Sequence, residues 1–379
     1  MNQMPVSDAA PSLPPGPARA ALGAIDFTRQ PFVLAWELTR ACNLACVHCR
    51  AEAQLRRDPR ELSTAQGLAL IDDIAAFDRP PTLILTGGDP LRRPDLLQFV
   101  AHATEGGIPV TLTPAGTPLA SRDKLAAARD AGLRRVAVSL DGSDAARHDA
   151  FRQTAGSFGW TLDIARRARD LGIPLQVHST LCRRTRDDLP ALADLAEDLG
   201  AVVWAVFCLV PTGRAEAADA LSPAEYEEVF AWLAERSAAA SWDLKLTEGY
   251  HYRRFLAERG GGPVSGLGFA EDTSAVGRAP KAVNAGNGFC FVSHTGDVCP
   301  SGFLPVVAGN VREQSIVDIY RNHPLFRDLR DPDKLTGRCG GCRYRALCGG
   351  SRSRAYAASG DPFGDDPACA WSTGSGRAA

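Results

Sequence analysis

Cys42, Cys46 and Cys49 stand together in the run Cys-Asn-Leu-Ala-Cys-Val-His-Cys. Three thiolates this close in one loop can take three corners of an iron–sulfur cubane and leave its fourth iron open to an outside ligand. An electron-transfer cluster normally takes four protein thiolates. Zinc is the competing reading, but its sites favour paired C-x2–4-C spacing. A second group lies near the other end: Cys290-x8-Cys299, then Cys339-Gly-Gly-Cys342-x5-Cys348, then Cys369. The chain has 11 cysteines in 379 residues, and only Cys182 and Cys208 fall outside the two groups. They lie in or beside apolar strand-like runs and read as core thiols. No charged start followed by an apolar segment opens the chain. Clustered cysteines without such a leader point to metal or cluster ligation in a reducing compartment, so a cytoplasmic location is expected.

These groups need a scaffold. Short apolar runs at 32–38, 82–86, 108–113, 135–140, 175–181 and 202–209 read as strands buried on both faces. Amphipathic stretches alternate with them. One starts at Ser63 with Gln66 three residues on, a capping box; a further helix is expected over 223–237. The βα alternation implies parallel strands with right-handed crossovers. Such units are too few for a closed eight-fold barrel, so the expected fold is α/β, a partial (β/α)6 TIM-like barrel with a small C-terminal cysteine-rich iron–sulfur domain. Chemistry in such folds sits at the C-terminal ends of the strands, where the first cysteines fall. The expected division is a flexible Pro/Ala-rich tail over 1–28, the barrel over 29–222, a helical bridge and linker over 223–288, and the cysteine-rich domain over 289–379.

The C-x3-C-x2-C spacing resembles the signature of the radical S-adenosylmethionine (SAM) superfamily. Thr86-Gly87-Gly88-Asp89-Pro90, at the end of the second strand, resembles that family's GGEP motif, with Asp where Glu is usual. The resemblance implies a [4Fe–4S] cluster on Cys42, Cys46 and Cys49, reductive cleavage of SAM to a 5′-deoxyadenosyl radical, and hydrogen abstraction from a substrate. It implies that Gly87, Gly88, Asp89 and Pro90 hold the SAM amino group. By the same resemblance Ser139, at a later strand end, would contact its ribose or carboxylate, and Thr180 and Leu209 would flank ribose and adenine. Arg152 meets the SAM carboxylate or pairs with an acid. His48 packs on adenine, where the family has a larger aromatic.

The C-terminal block resembles the SPASM extension. Cys339, Cys342, Cys348 and Cys369 match the four ligands of one auxiliary [4Fe–4S] cluster, against a zinc ribbon as the other reading. Cys290 and Cys299 match two positions of a second auxiliary site. Its C-x3-C partner falls on Arg352, so one complete auxiliary cluster is expected and the Cys290/Cys299 pair is left open.

The segments Ala-Trp-Glu-Leu-Thr-Arg-Ala-Cys42 and Val-Pro-Thr-Gly-Arg214 are similar to the subgroup of haem and haem d1 biosynthesis. The run 57–63 resembles the peptide maturase of mycofactocin. The expected substrate is a carboxylated, tetrapyrrole-like molecule, oxidatively modified or decarboxylated, with a ribosomal peptide as the alternative. A non-catalytic iron–sulfur protein is a further alternative. A flavodoxin or ferredoxin is the implied electron donor. Thr247-Glu-Gly-Tyr-His251-Tyr-Arg253-Arg254 offers a carboxylate grip and an acid or haem ligand, or else the edge of a surface helix. With 42 basic and 44 acidic residues interspersed, net charge −2, and no apolar run near the about 18 residues of a membrane span, neither nucleic acid nor membrane is an expected partner.

Overall fold

The computed structural model describes residues 25–259 and 283–371. Most of the expected tail, and residues 260–282 of the expected linker, lie outside the described residues. The six expected strands form as β1 (Val33–Glu37), β2 (Thr82–Thr86), β3 (Val110–Leu112), β4 (Arg135–Ser139), β5 (Leu175–Leu181) and β6 (Val203–Cys208). Each is parallel to the next. The helices between them begin with α1 (Thr64–Ala75), which carries the Ser63/Gln66 capping box.

The sheet extends beyond these strands at both edges. β7 (Asp243–Thr247) adds in parallel to β6, within the stretch read as a bridge. At the other edge β9 (Gly288–Val292) adds in parallel to β1. It is followed by antiparallel β10 (Asp297–Cys299) and β11 (Gly309–Asn310), with β8 (Asn284–Ala285) beside β9. The order is β11-β10-β9-β1-β2-β3-β4-β5-β6-β7. The architecture is thus the expected α/β partial barrel with a cysteine-rich C-terminal segment, and that segment contributes strands to the barrel's own sheet.

Side chains alternate across the sheet with period two. Leu34, Trp36, Leu83, Leu85, Val136, Val138 and Trp204 point outward into one apolar core beneath the helices. Trp36 is fully buried against Phe99, ring centroids 5.0 Å apart; truncating such a side chain to alanine costs about 3–5 kcal/mol. Ala35, Ile84, Ser139, His178, Phe207 and Phe291 point inward and line a cavity of about 380 Å³. Among the described residues no helix is long and apolar enough to cross a membrane.

Candidate active site

The loop after β1 carries Cys42, Cys46 and Cys49, and all three line the cavity. Each sulfur accepts an N–H. Leu44 N lies 3.3 Å from Cys42 Sγ, Ala53 N 3.4 Å from Cys49 Sγ and Arg152 Nη1 3.6 Å from Cys46 Sγ. Arg214, after β6, braces the loop, donating from Nε to Cys46 O (2.9 Å) and from Nη1 to Ala53 O (3.2 Å). The segment 210–214 was legible only as a resemblance; its bracing role was not.

The loop after β2 lies directly against this one. Gly88 N donates to Thr39 O (2.7 Å) and Asp89 N to Ala41 O (2.8 Å). A Cβ on Gly87, whose φ is +142°, would stand 2.3 Å from Thr39 O, so only glycine permits the approach. Gly87 and Gly88 line the cavity, whereas Asp89 and Pro90 do not. The Asp89 carboxylate is fully buried, accepting from Leu91 N (3.1 Å) and Thr117 Oγ1 (2.7 Å). This departs from the expectation of a ligand-facing acid: the side chain caps its own turn through Leu91 N and is tied to Thr117 in the loop after β3.

His48, Ser139, Arg152, Thr180 and Leu209 all line the same cavity as the cysteines. His48 stacks on Phe151 at 4.4 Å, and burial pushes its pKa down to about 4, so the ring is neutral. Arg152 forms an ion pair with buried Asp141, which also accepts from Thr180 N (2.7 Å). Burial alone would raise the Asp141 pKa; Arg152, His48 and His148 outweigh it and hold it to about 2. Arg152 is thereby committed to Asp141 and Cys46.

At the foot of the loop Glu37, fully buried, accepts from Arg50 Nη2 (2.8 Å) and Arg40 Nε (3.2 Å), and its Oε1 lies 2.9 Å from His294 Nδ1. Burial raises its pKa, but Arg50, the His294 hydrogen bond and Arg40 together hold it to about 2 against an ordinary 4.5. A depressed carboxylate stabilises the fold fully above its unfolded pKa and loses that contribution as pH falls through the folded value. The unfolding free energy of the apo-protein is therefore expected to fall between pH 4.5 and about 2. In urea titrations across that window, Glu37→Gln should flatten the fall; an unchanged slope would assign the acid sensitivity elsewhere.

The second cysteine group gathers around a small cavity lined by Cys339, Cys342, Cys348 and Cys369. Arg352 Nη2 and Asp366 N each lie 3.5 Å from Cys339 Sγ, Tyr344 N 3.4 Å from Cys342 Sγ and Gly350 N 3.3 Å from Cys348 Sγ. The four cysteines thus line one shared cavity, with N–H donors on the sulfurs of Cys339, Cys342 and Cys348. Cys290 and Cys299 do not converge. Cys299 pairs with Phe291 and packs with Ala35 on the inner face, while Cys290, one residue along β9, is in the outer core.

The run 247–254 is not the edge of a surface helix. It closes β7 and opens the helix α8 (His251–Glu258). His251 is fully buried among Tyr226 and Phe230, away from the cavity wall. Arg254 pairs with Glu227 and Glu258. Arg253 alone of the two arginines lines the cavity.

Residues 36–196 match the family model of the radical SAM superfamily, and 284–343 that of SPASM, an iron–sulfur cluster-binding domain. Over 92% of this chain and 99% of the relative, the sequence is 40% identical to the AdoMet-dependent heme synthase of Methanosarcina barkeri. This chain belongs to the radical SAM superfamily. As such an enzyme it uses SAM and iron–sulfur clusters. Further radical SAM relatives are the pre-heme d1 synthase of Dinoroseobacter shibae, 30% identical over 94% of this chain and 89% of the relative, and mycofactocin maturase MftC of Mycolicibacterium smegmatis, 31% identical over 89% and 82%. Streptococcus suis SuiB bound to S-adenosylmethionine shares the radical SAM fold at a TM-score of 0.67, with 14% identity over 90% of this chain and 78% of that one.

Proposed function

We propose that this enzyme oxidatively decarboxylates a carboxylated tetrapyrrole. Cys42, Cys46 and Cys49 would hold the SAM-cleaving [4Fe–4S] cluster, and Cys339, Cys342, Cys348 and Cys369 one auxiliary [4Fe–4S] cluster. The observation that carries the reading is the 40% identity over 99% of a relative named a heme synthase. When bound, SAM and the two clusters supply a 5′-deoxyadenosyl radical and an acceptor for one electron. Conversion of a propionate arm to a vinyl group would release one hydrogen atom, carbon dioxide and one electron, which matches what those groups would accept. The protein's share is to hold the arm beside the cysteine loop, in a cavity walled by Phe207, Phe289 and Phe291 that keeps water from a carbon radical. His48 and Ser139 on the cavity wall would flank SAM, with Gly87, Gly88, Thr180 and Leu209 around it; a flavodoxin or ferredoxin would supply the first electron, in the cytoplasm. Residues 29–222 would form the catalytic unit and 289–379 the auxiliary-cluster unit.

The test is anaerobic turnover of Fe-coproporphyrin III, the molecule for which a similar protein, the Fe-coproporphyrin III synthase of Methanosarcina barkeri, is named, with SAM and dithionite. Mass loss of one carbon dioxide and two hydrogens per arm, with matching 5′-deoxyadenosine, is expected. Formation of 5′-deoxyadenosine with no porphyrin change would turn attention to a peptide, a reading favoured by the likeness to mycofactocin maturase.

Arg352 stands where the fuller pattern has a cysteine. Fully buried, it donates to Pro362 O and Gly364 O (both 2.8 Å) as well as to Cys339 Sγ. A cationic donor to a ligand sulfur favours the more negative, reduced cluster. Arg352→Gln is expected to lower the auxiliary cluster's midpoint potential, read by EPR-monitored titration; an unmoved potential would leave Arg352 a purely structural tie.

A further inference from the structure

Two of the cations that line the cavity are already neutralised: Arg50 by Glu37 and Arg152 by Asp141. Lys245 is different. It stands at the middle of β7, in a row that the strand registers define as Ser139, His178, Ala205 and Lys245. Directly opposed residues share a face of the sheet, so Lys245 and His178 turn to the same interior with only the Ala205 methyl between them. Among the described residues no carboxylate or hydrogen-bond acceptor meets the Lys245 ammonium; the charge it feels is a like one, Arg135. Arg135 for its part is hydrogen-bonded to Gln176 Oε1 at 3.0 Å.

Lys245 is half-buried, and a partly desolvated ammonium without a partner gains from a bound anion. Burial, with Arg135 adding to it, pushes the Lys245 pKa down to about 8, as expected for a cation awaiting a counter-charge. Arg253 follows in the first turn of α8, six residues beyond the end of β7. Its Nη2 donates to Val283 O (3.0 Å), its guanidinium lies 5.0 Å from the Tyr250 ring centroid, and its Nη1 is buried with no partner. Both unneutralised cations therefore come from β7 and the helix it feeds, at the far end of the strand order from the cysteine loop of β1.

We propose that the β7–α8 wall is the substrate's carboxylate-binding site, with Lys245 and Arg253 each receiving a carboxylate of the tetrapyrrole. This rests on the reading of the substrate given above. In such a site the side arms that are not being decarboxylated fix the macrocycle, and one arm is left facing the cysteine loop.

The test uses the reconstituted holoenzyme and absorbance titration with Fe-coproporphyrin III and with its tetramethyl ester. Wild type, Lys245→Met, Lys245→Arg and Arg253→Met are compared, with iron content and unfolding midpoint as checks of folding. Loss of one charge-assisted contact is expected to raise the Kd for the free acid about ten-fold or more in each Met variant. The ester's Kd should stay unchanged and the Lys245→Arg affinity close to wild type. Wild-type affinity for the free acid in both Met variants overturns the inference. If Lys245→Met does not fold, Arg253→Met and Lys245→Arg decide it by the same criterion. Failure of wild type itself to bind the free acid overturns the tetrapyrrole reading and this inference with it, and is distinguished by lying in the unmutated enzyme.

Discussion

Alanine at Cys42, Cys46 and Cys49 together is expected to abolish 5′-deoxyadenosine formation while leaving the auxiliary cluster in place. The chemistry resides in the cofactor, so losing its ligands removes the reaction rather than slowing it. The expected loss is on the order of 10³-fold or more, down to assay background. The two cysteine groups have separate N–H donors and line separate cavities. Iron should therefore fall by about half, to roughly four atoms per chain. Iron analysis and chromatographic quantification of 5′-deoxyadenosine measure both quantities. Persistent nucleoside would disprove this ligand set, and loss of all iron would mean that the two groups do not assemble independently.

Arg354→Met is expected to have the largest effect on stability. Arg354 is almost wholly buried and grips Asp366 with two N–H groups, Nε to Oδ1 at 2.7 Å and Nη2 to Oδ2 at 2.9 Å. The same guanidinium donates to Leu209 O (3.3 Å), after β6, and to Glu248 O (2.8 Å), after β7. Asp366 in turn accepts from Ser351 N (2.8 Å), and its own N–H reaches Cys339 Sγ. Removing one partner of a buried ion pair strands the other and costs about 3–5 kcal/mol. Chemical denaturation should show that loss, with iron reduced at the auxiliary site and SAM cleavage less affected. Arg354→Lys keeps the charge without the fork and should fall between; a Met variant as stable as wild type would show the pair to be replaceable.

The strands most legible in the sequence were those whose inner and outer faces are both apolar, such as Val203–Cys208. β7 was not and fell within the expected bridge over 223–288, because Asp243, Lys245 and Thr247 alternate with leucines and break the apolar run; the inward polar row is the signature of a lined cavity. β9 escaped notice because its Gly-Phe-Cys-Phe-Val run was weighed for its cysteine, left open as a match to a second auxiliary site, rather than as a strand. Cysteine spacing carried the cofactor chemistry, since ligand geometry is local. The fate of Asp89, Arg254 and His251 was not legible: whether such a side chain faces a ligand or a structural partner is decided by contacts such as Thr117 and Glu227, which are distant in sequence.

The pairing of β9 with β1 carries a consequence for synthesis. β1 is made early, yet its neighbour on one side is β9, and His294 meets Glu37 across 257 positions of sequence. Until the last third of the polypeptide emerges, the strand that leads into the cysteine loop has an open edge, which is a template for wrong pairing. Contacts this non-local are slow to form. Cluster insertion into a nascent or truncated chain would therefore meet an unanchored loop, so delivery of iron and sulfide is expected to follow release from the ribosome.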